Sequence, residues 1–184
     1  MKRIYSVLIE VAVMICLIVC DHLSKLWADS VLKETEGIDL IPGVLKFFYL
    51  PSGNRGAAFG MFKGQLWLFI IVTVIVCACL IYVMIRLPFS RRYFILHPIM
   101  ICIVAGGIGN LIDRIMNGYV VDFIYFYLIN FPIFNVADCY VTVSTILLAF
   151  LLLFYYKEED FKKIEAILIP KNLKKDQDHT EQES

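Results

Sequence analysis

The chain has 184 residues, of which 60% are hydrophobic, and its 17 basic and 17 acidic side chains cancel. A soluble domain of this length could not bury so large an apolar surface, so lipid is the expected solvent for the excess. The balanced charge indicates no nucleic-acid or acidic partner. We therefore expect a membrane protein.

Four apolar runs have about the 20 residues that a helix needs to cross a bilayer. They cover residues 4–20, 66–87, 93–112 and 138–156. Helices are expected because lipid offers the backbone no hydrogen-bond partners. The predicted fold class is an all-α membrane protein with four transmembrane helices.

The first run follows two basic residues, Lys2 and Arg3, and has an alternative interpretation as a cleaved signal peptide. Val19 precedes Cys20, where a lipoprotein cleavage site would need a small residue, and the charged Asp21 opens a further motif. A retained span is therefore favoured.

The distribution of Lys and Arg predicts the orientation. With both termini inside, the cytoplasmic segments hold 11 of the 17 basic residues, including those of the short loop between the second and third spans. We therefore expect a multi-pass membrane protein with both ends in the cytoplasm.

Two segments connect the spans on the outer side, residues 21–65 and 113–137. The first has apolar stretches interrupted by turn signals around Pro42 and Pro51, which predicts a small extracytoplasmic β-sheet. Residues 158–184 mix charges of both signs and are expected to form a disordered cytoplasmic tail beyond a domain of residues 1–157.

Polar residues gather at the outer ends of the spans, where ionisable groups are costly and often functional. Two of them, Asp122 and Asp138, have apolar neighbours and would meet at the same leaflet. Two carboxyl groups in a partly desolvated site share one proton, so that one acts as base towards water and the other as acid. No metal or cofactor is expected, and the cysteines show no ligand spacing.

Structural explanations exist for each candidate residue. Asp138 has the residue type of a helix N-cap, and Asp122 is a possible loop partner for Arg114. The others are explained as ion pairs or turn residues, namely Asp113 with Arg114, Asp21 with Lys25, and Asn54 with Gly56.

Four ordered blocks resemble the lipoprotein signal peptidases, also called signal peptidase II. They are DHLSK at residues 21–25, NRGAAFG at 54–60, GGIGNLIDR with GYVVDF at 106–123, and FNVAD at 134–138. Arg55 departs from the small residue or Thr more often found in the second block.

The resemblance implies an aspartic endopeptidase of the bacterial cytoplasmic membrane, with its active site at the extracytoplasmic face. Such an enzyme cuts prolipoproteins just before the diacylglyceryl-modified cysteine. The catalytic aspartates would be Asp122 and Asp138. The supporting or substrate-binding residues would be Asp21, Lys25, Asn54, Gly56, Asn110, Asp113, Arg114 and Asn135. The implied partners are prolipoproteins and membrane lipid, with the enzyme expected to be a monomer that is sensitive to globomycin.

Two other classes remain as alternatives. One is a non-enzymatic transporter, channel or assembly factor whose polar helix ends line a pathway. The other is an aspartic protease of the prepilin-peptidase or presenilin class, but Asn110 follows Gly109 where the Gly-x-Gly-Asp block of that class needs aspartate.

Overall fold

The computed structural model of the chain describes residues 2–54 and 65–169. Its helices are α1 (Lys2–Val31), α2 (Leu66–Arg86), α3 (Leu96–Asn117), α4 (Val136–Phe150) and α5 (Glu158–Leu168). The strands are β1 (Ile38–Ile41), β2 (Leu45–Phe47) and β3 (Ile124–Tyr125). A short 3₁₀ turn covers Tyr127–Ile129, and α4 continues as a π-helical segment, Leu151–Tyr155.

Within the described residues, four helices are long and apolar enough to cross a membrane, which confirms the four predicted spans. Helix α3 lies at the centre of the bundle and packs against α1, α2 and α4. Twelve of its residues are buried, against two each in α2 and α4. Most apolar side chains of α2 and α4 are therefore available to contact lipid.

The helix boundaries differ from those predicted at the outer side. Helix α1 continues to Val31 rather than ending near residue 20, and α3 continues to Asn117 rather than 112. The predicted outer segments 21–65 and 113–137 are correspondingly shorter. Hydropathy ended the predicted spans at the first charges, but those charges are neutralised inside the bundle and do not interrupt the helices.

Backbone signals explain where α2 and α3 end. Leu87 is extended, as expected for a residue before proline, and Pro88 stops α2. Gly118 ends α3 with a positive φ of 76°, and its amide donates a hydrogen bond to the Arg114 carbonyl. The chain then turns back towards the sheet.

The predicted small sheet is confirmed, as an antiparallel sheet in the order β1-β2-β3. Ile38 pairs with Phe47 in the first ladder, and Phe47 pairs with Ile124 in the second. The third strand comes from the connection after α3, so the sheet ties the two outer segments together.

Two ends of the bundle can now be distinguished. The site end contains α1 from Asp21 onwards, the end of α3 and the start of α4. The hairpin end contains the start of α1, the end of α2, residues 87–95 and the end of α4. There, Glu10 forms a 2.6 Å contact with the buried His97.

The expectation of a disordered tail is wrong for residues 158–168, which form α5. Its charges are compatible with a helix because Asp160 is buried against a basic partner while the other charged side chains face outwards. Residues 170–184 lie outside the described residues. The domain boundary at 157 stays a prediction.

Candidate active site

Asp122 lies on an extended segment held on both sides by backbone hydrogen bonds. The amide of Leu50 donates to the Asp122 carbonyl over 3.1 Å, and the amide of Phe123 donates to the Phe134 carbonyl over 3.0 Å. Val121 and Phe123 are buried in an apolar cluster with Tyr49. The apolar neighbours noted in the sequence therefore anchor the segment and leave Asp122 only 1% exposed.

The Asp122 carboxylate accepts hydrogen bonds from two side-chain amides. Asn54 Nδ2 lies 2.8 Å from Oδ2, and Asn135 Nδ2 lies 2.7 Å from Oδ1. Burial, followed by the charge of Asp138, raises the pKa of Asp122 to about 7, against the lowering effect of both amides and of Lys25. This carboxyl can exchange a proton near neutral pH.

Asp138 is in the first turn of α4 and belongs to its capping box. Asn135 is the N-cap, with its Oδ1 accepting from the Asp138 amide over 3.0 Å, while Asp138 Oδ2 accepts from the Asn135 amide over 3.2 Å. Asp138 Oδ1 accepts from Asn110 Nδ2 over 2.8 Å. The predicted N-cap role therefore belongs to Asn135, and Asp138 is held rigidly three residues later.

Asn135 joins the two carboxylates. Its side chain is fully buried, and its Nδ2 donates to Asp122 Oδ1 and, over 3.1 Å, to Asn110 Oδ1. Its main chain donates to Asp138. Asp122 and Asp138 are thus both hydrogen-bonded to the same asparagine.

Lys25 is a buried cation behind the asparagines. Its Nζ contacts Asp21 Oδ2 at 2.8 Å and Asp113 Oδ2 at 3.2 Å, and it donates to Asn110 Oδ1 over 2.9 Å. Lys25, Asp21 and Asp113 are each at most 3% exposed. The ion pair of Asp21 with Lys25 that the sequence allowed is present, but it is buried inside the bundle.

Asp113 does not pair with Arg114, contrary to the structural explanation that the sequence allowed. Adjacent helical residues point in different directions, and Asp113 turns inwards to Lys25 and accepts from the Val121 amide over 3.1 Å. This last bond fixes the residue before Asp122. Asp113 therefore links the buried cation to the candidate site.

Arg114 lies at the edge of the site. Its guanidinium stacks over Phe69 at 5.2 Å, and Nη1 donates to the Asn110 carbonyl over 3.3 Å. Its charge also acts on Asp138 and Asp122. Within the described residues it forms no ion pair with Asp122 within 4 Å, so the predicted loop pair is not present.

Gly109 belongs to the GGIGNLIDR block, but the sequence did not predict that it has a packing role of its own. A Cβ atom at Gly109 would lie 2.5 Å from Asp21 Oδ2. Asp21 Oδ1 in turn accepts from the Ala137 amide over 2.8 Å, at the start of α4. The close approach of α1, α3 and α4 thus depends on a missing side chain, which a run of glycines beside Asn110 could have indicated.

Asn54 is held by paired backbone bonds with Val120, each 2.9 Å long, which aim its side chain at Asp122. Gly56 and the unusual Arg55 lie outside the described residues. Among those described, no group of three His, Cys, Asp or Glu side chains is placed to hold a metal ion.

The chain is similar to known proteins over most of its length. The profile of the family described as signal peptidase (SPase) II matches residues 13–154. Lipoprotein signal peptidases of Streptococcus pyogenes, serotype M5 strain Manfredo and serotype M18 strain MGAS8232, are each 40% identical over 148 residues, or 80% of this chain and 93% of theirs.

Two solved structures are also similar, both described as a bacterial membrane enzyme determined by the in meso method. The first, at 2.3 Å, has a TM-score of 0.67 and 29% identity over 81% of this chain and 92% of its own. The second, at 1.9 Å, has the same TM-score and identity over 80% and 94%.

A family match over most of the chain excludes the transporter and Gly-x-Gly-Asp alternatives. The chain belongs to the signal peptidase II family and is a multi-pass bacterial membrane peptidase.

Proposed function

We propose that the chain is an aspartic endopeptidase in which Asp122 and Asp138 activate one water molecule. It removes signal peptides from bacterial prolipoproteins and cuts just before the diacylglyceryl-modified cysteine. One observation carries the proposal. Two carboxylates meet at Asn135, and among the described residues each accepts hydrogen bonds from amides and forms no ion pair with a cation.

The type of partner matters for the chemistry. A nearby cation favours the charged form of a carboxylate, whereas burial and a second carboxylate favour the protonated form. The raised pKa of Asp122 supports a site that holds one proton near neutral pH. Asp122 is therefore assigned the proton, and Asp138 is assigned the role of base.

The proposed reaction consists of proton transfers between water, the peptide bond and the two carboxyl groups. Asp138 takes a proton from water as its oxygen attacks the scissile carbonyl carbon, and Asp122 gives its proton to the carbonyl oxygen. When the tetrahedral intermediate collapses, the amine leaves with the proton held by Asp138, and the hydroxyl proton returns to Asp122. Both carboxyl groups regain their starting states.

The supporting residues act through the carboxylates. Asn54, Asn110 and Asn135 orient them by direct hydrogen bonds. Lys25, held by Asp21 and Asp113, fixes Asn110 from behind. Arg114 and Gly56 are assigned to the substrate side of the site. Both termini are assigned to the cytoplasm, which puts the site at the outer membrane interface, where acyl chains and a peptide bond are both reachable.

The test is a cleavage assay on a diacylglyceryl-modified prolipopeptide, with products identified by mass spectrometry. Asp122→Asn and Asp138→Asn should each lower kcat by about 10²–10⁴-fold or more, since each removes one proton-transfer group. Asp39→Asn is the matched control, because Asp39 is an exposed aspartate of β1 on the same side of the membrane and contacts Tyr127 rather than a residue of the site.

All three variants should insert into the membrane and unfold at temperatures close to that of the unchanged chain. Globomycin should inhibit the unchanged enzyme, and unmodified precursor should be a poor substrate. Full cleavage by either site variant, or a product that does not begin with the modified cysteine, would overturn the proposal.

A further inference from the structure

Helix α5 lies beyond residues 13–154, the part of the chain that the family profile matches. It is amphipathic: Phe161, Ile164 and Leu168 recur at helical spacing along one stripe. Glu159, Lys162 and Lys163 occupy the opposite side and are exposed, while Glu158 and Glu165 are exposed at the edge of the stripe. A helix of this kind needs a partner for its apolar stripe.

The start of α5 is fixed to the end of α4. Asp160 closes the first turn by accepting from the Lys157 amide over 3.0 Å, and it accepts from Arg92 Nη2 over 2.6 Å. Arg92 also donates to the Tyr155 carbonyl over 3.0 Å and stacks on that ring at 4.2 Å. This end therefore lies at the level where the fourth span ends.

The other end of α5 is fixed to α2. Arg86, the last residue of α2, donates twice to the Ile167 carbonyl, over 3.0 and 2.7 Å. Tyr82, one turn earlier in α2, donates to the Leu168 carbonyl over 2.7 Å. The last turn of α5 therefore lies at the level where the second span ends.

A helix with both ends at the ends of membrane spans must run roughly parallel to the membrane plane. Its 11 residues extend about 16 Å across the hairpin end. Only part of the apolar stripe is covered by protein, because Ile164 packs against the buried core whereas Phe161 remains 42% exposed. Leu153 and Phe154, in the last turns of α4, are 74% and 73% exposed and belong to the lipid-facing surface.

We propose that α5 is an interfacial helix, bound by its apolar stripe to the bilayer surface at the hairpin end, with Phe161 among the acyl chains and the Glu159 side towards water. The lipid-facing Leu153 and Phe154 lie only five and four residues before α5 begins, so the occupant is lipid rather than a soluble protein. The polar face carries charges of both signs, including a Glu158–Lys162 pair at 2.7 Å, as expected for a water-facing helix surface.

Photo-crosslinking in nanodiscs of phosphatidylglycerol and phosphatidylethanolamine tests the proposal. A benzoylphenylalanine at position 161 replaces one aromatic side chain by another, and the same group at position 159 is the control, about 160° away around the helix. We expect the photo-crosslinker to form phospholipid adducts at position 161 and few or none at position 159. Equal adduct yields at the two positions, or none at 161, would overturn the proposal.

Hydrogen exchange of the unchanged chain in the same nanodiscs gives a second measurement that needs no substitution. The amides of residues 161–168 should be protected, and removing the lipid with a short-chain detergent should reduce their protection more than that of α3. Exchange of these amides at the rate of a free peptide, with lipid present, would contradict an interfacial helix. Neither outcome depends on peptidase activity, because the site lies at the other end of the spans.

Discussion

Asp122 at the site end and Asp160 at the hairpin end are both buried, yet their pKa values are displaced in opposite directions. Burial and Asp138 raise the pKa of Asp122 to about 7, whereas hydrogen bonding to Arg92 lowers the pKa of Asp160 to about 2. Burial alone therefore does not indicate what a carboxylate does. A guanidinium partner fixes an anion that joins helices, whereas burial beside a second carboxylate leaves a carboxyl that can exchange its proton.

The same distinction separates the carboxylates within the site end. Asp21 and Asp113 contact the Lys25 ammonium and connect helices, whereas Asp122 and Asp138 form no ion pair with any described cation. The buried cation thus belongs to the scaffold that holds the proposed catalytic pair. Four predictions test this difference between the carboxylates that pair with a cation and those that do not.

Removing the buried cation should have the largest effect on stability. Lys25→Met leaves Asp21 and Asp113 buried without a counter-ion, which should cost about 3–5 kcal/mol. Lys33→Met is the matched control, since Lys33 and Asp29 have the same four-residue spacing on α1 but are 51% and 43% exposed. Thermal unfolding in detergent should show a large decrease for the first variant and almost none for the second. If both variants lowered the unfolding temperature equally, burial of the Lys25 ion pairs would not be what stabilises the bundle.

Filling the close approach at Gly109 should have a smaller effect. Gly109→Ala brings a methyl group to 2.5 Å from Asp21 Oδ2, and overpacking of this kind costs about 1–3 kcal/mol. Gly107→Ala is the control, because its Cβ would meet the end of the Cys77 side chain, which can rotate away. Gly109→Ala should lower both the unfolding temperature and the cleavage rate, since Asp21 holds the start of α4. If Gly107→Ala were the more damaging change, the packing argument would fail.

Much of this architecture could be predicted because it depends on local sequence patterns. Apolar runs predicted the four spans, and turn signals predicted a sheet in the first outer segment. Motifs and apolar neighbours singled out Asp122 and Asp138, which the structure brings together at Asn135.

The remainder depends on contacts between distant parts of the chain. Hydropathy treats a charge as the end of a span, so it could not extend α1 past Asp21, whose charge is matched inside the bundle by Lys25. The partnership of Lys25 with Asp113 links residues that are far apart in the sequence. Helix α5 was not predicted, because the amino-acid composition of the tail does not reveal that Asp160 is buried against the rest of the chain.

The pH dependence of cleavage should reflect the proton on Asp122. This carboxyl is neutral below a pKa of about 7 and ionised above it, so kcat/KM should fall as pH rises through that range. The hydrogen bond from Asn54 lowers the pKa, and Asn54→Ala should therefore raise it and move the alkaline decline to higher pH. Lys33→Met should leave the profile unchanged, and a decline that moved to lower pH in Asn54→Ala would assign the proton elsewhere.

The smallest effect is expected at the hairpin end. The pKa of Asp160 is below its ordinary value of about 4, so its contribution to stability is present above that value and is lost as pH falls towards 2. Protection of the α5 amides from hydrogen exchange should therefore stay constant between about pH 5 and 8, the range in which cleavage changes. Asp160→Asn keeps the side-chain shape but weakens the bond to Arg92, so the first turn of α5 should exchange faster at neutral pH while cleavage is unchanged. Glu158→Gln, which alters an exposed pair, is the control, and a loss of cleavage in Asp160→Asn would mean that the two ends are coupled.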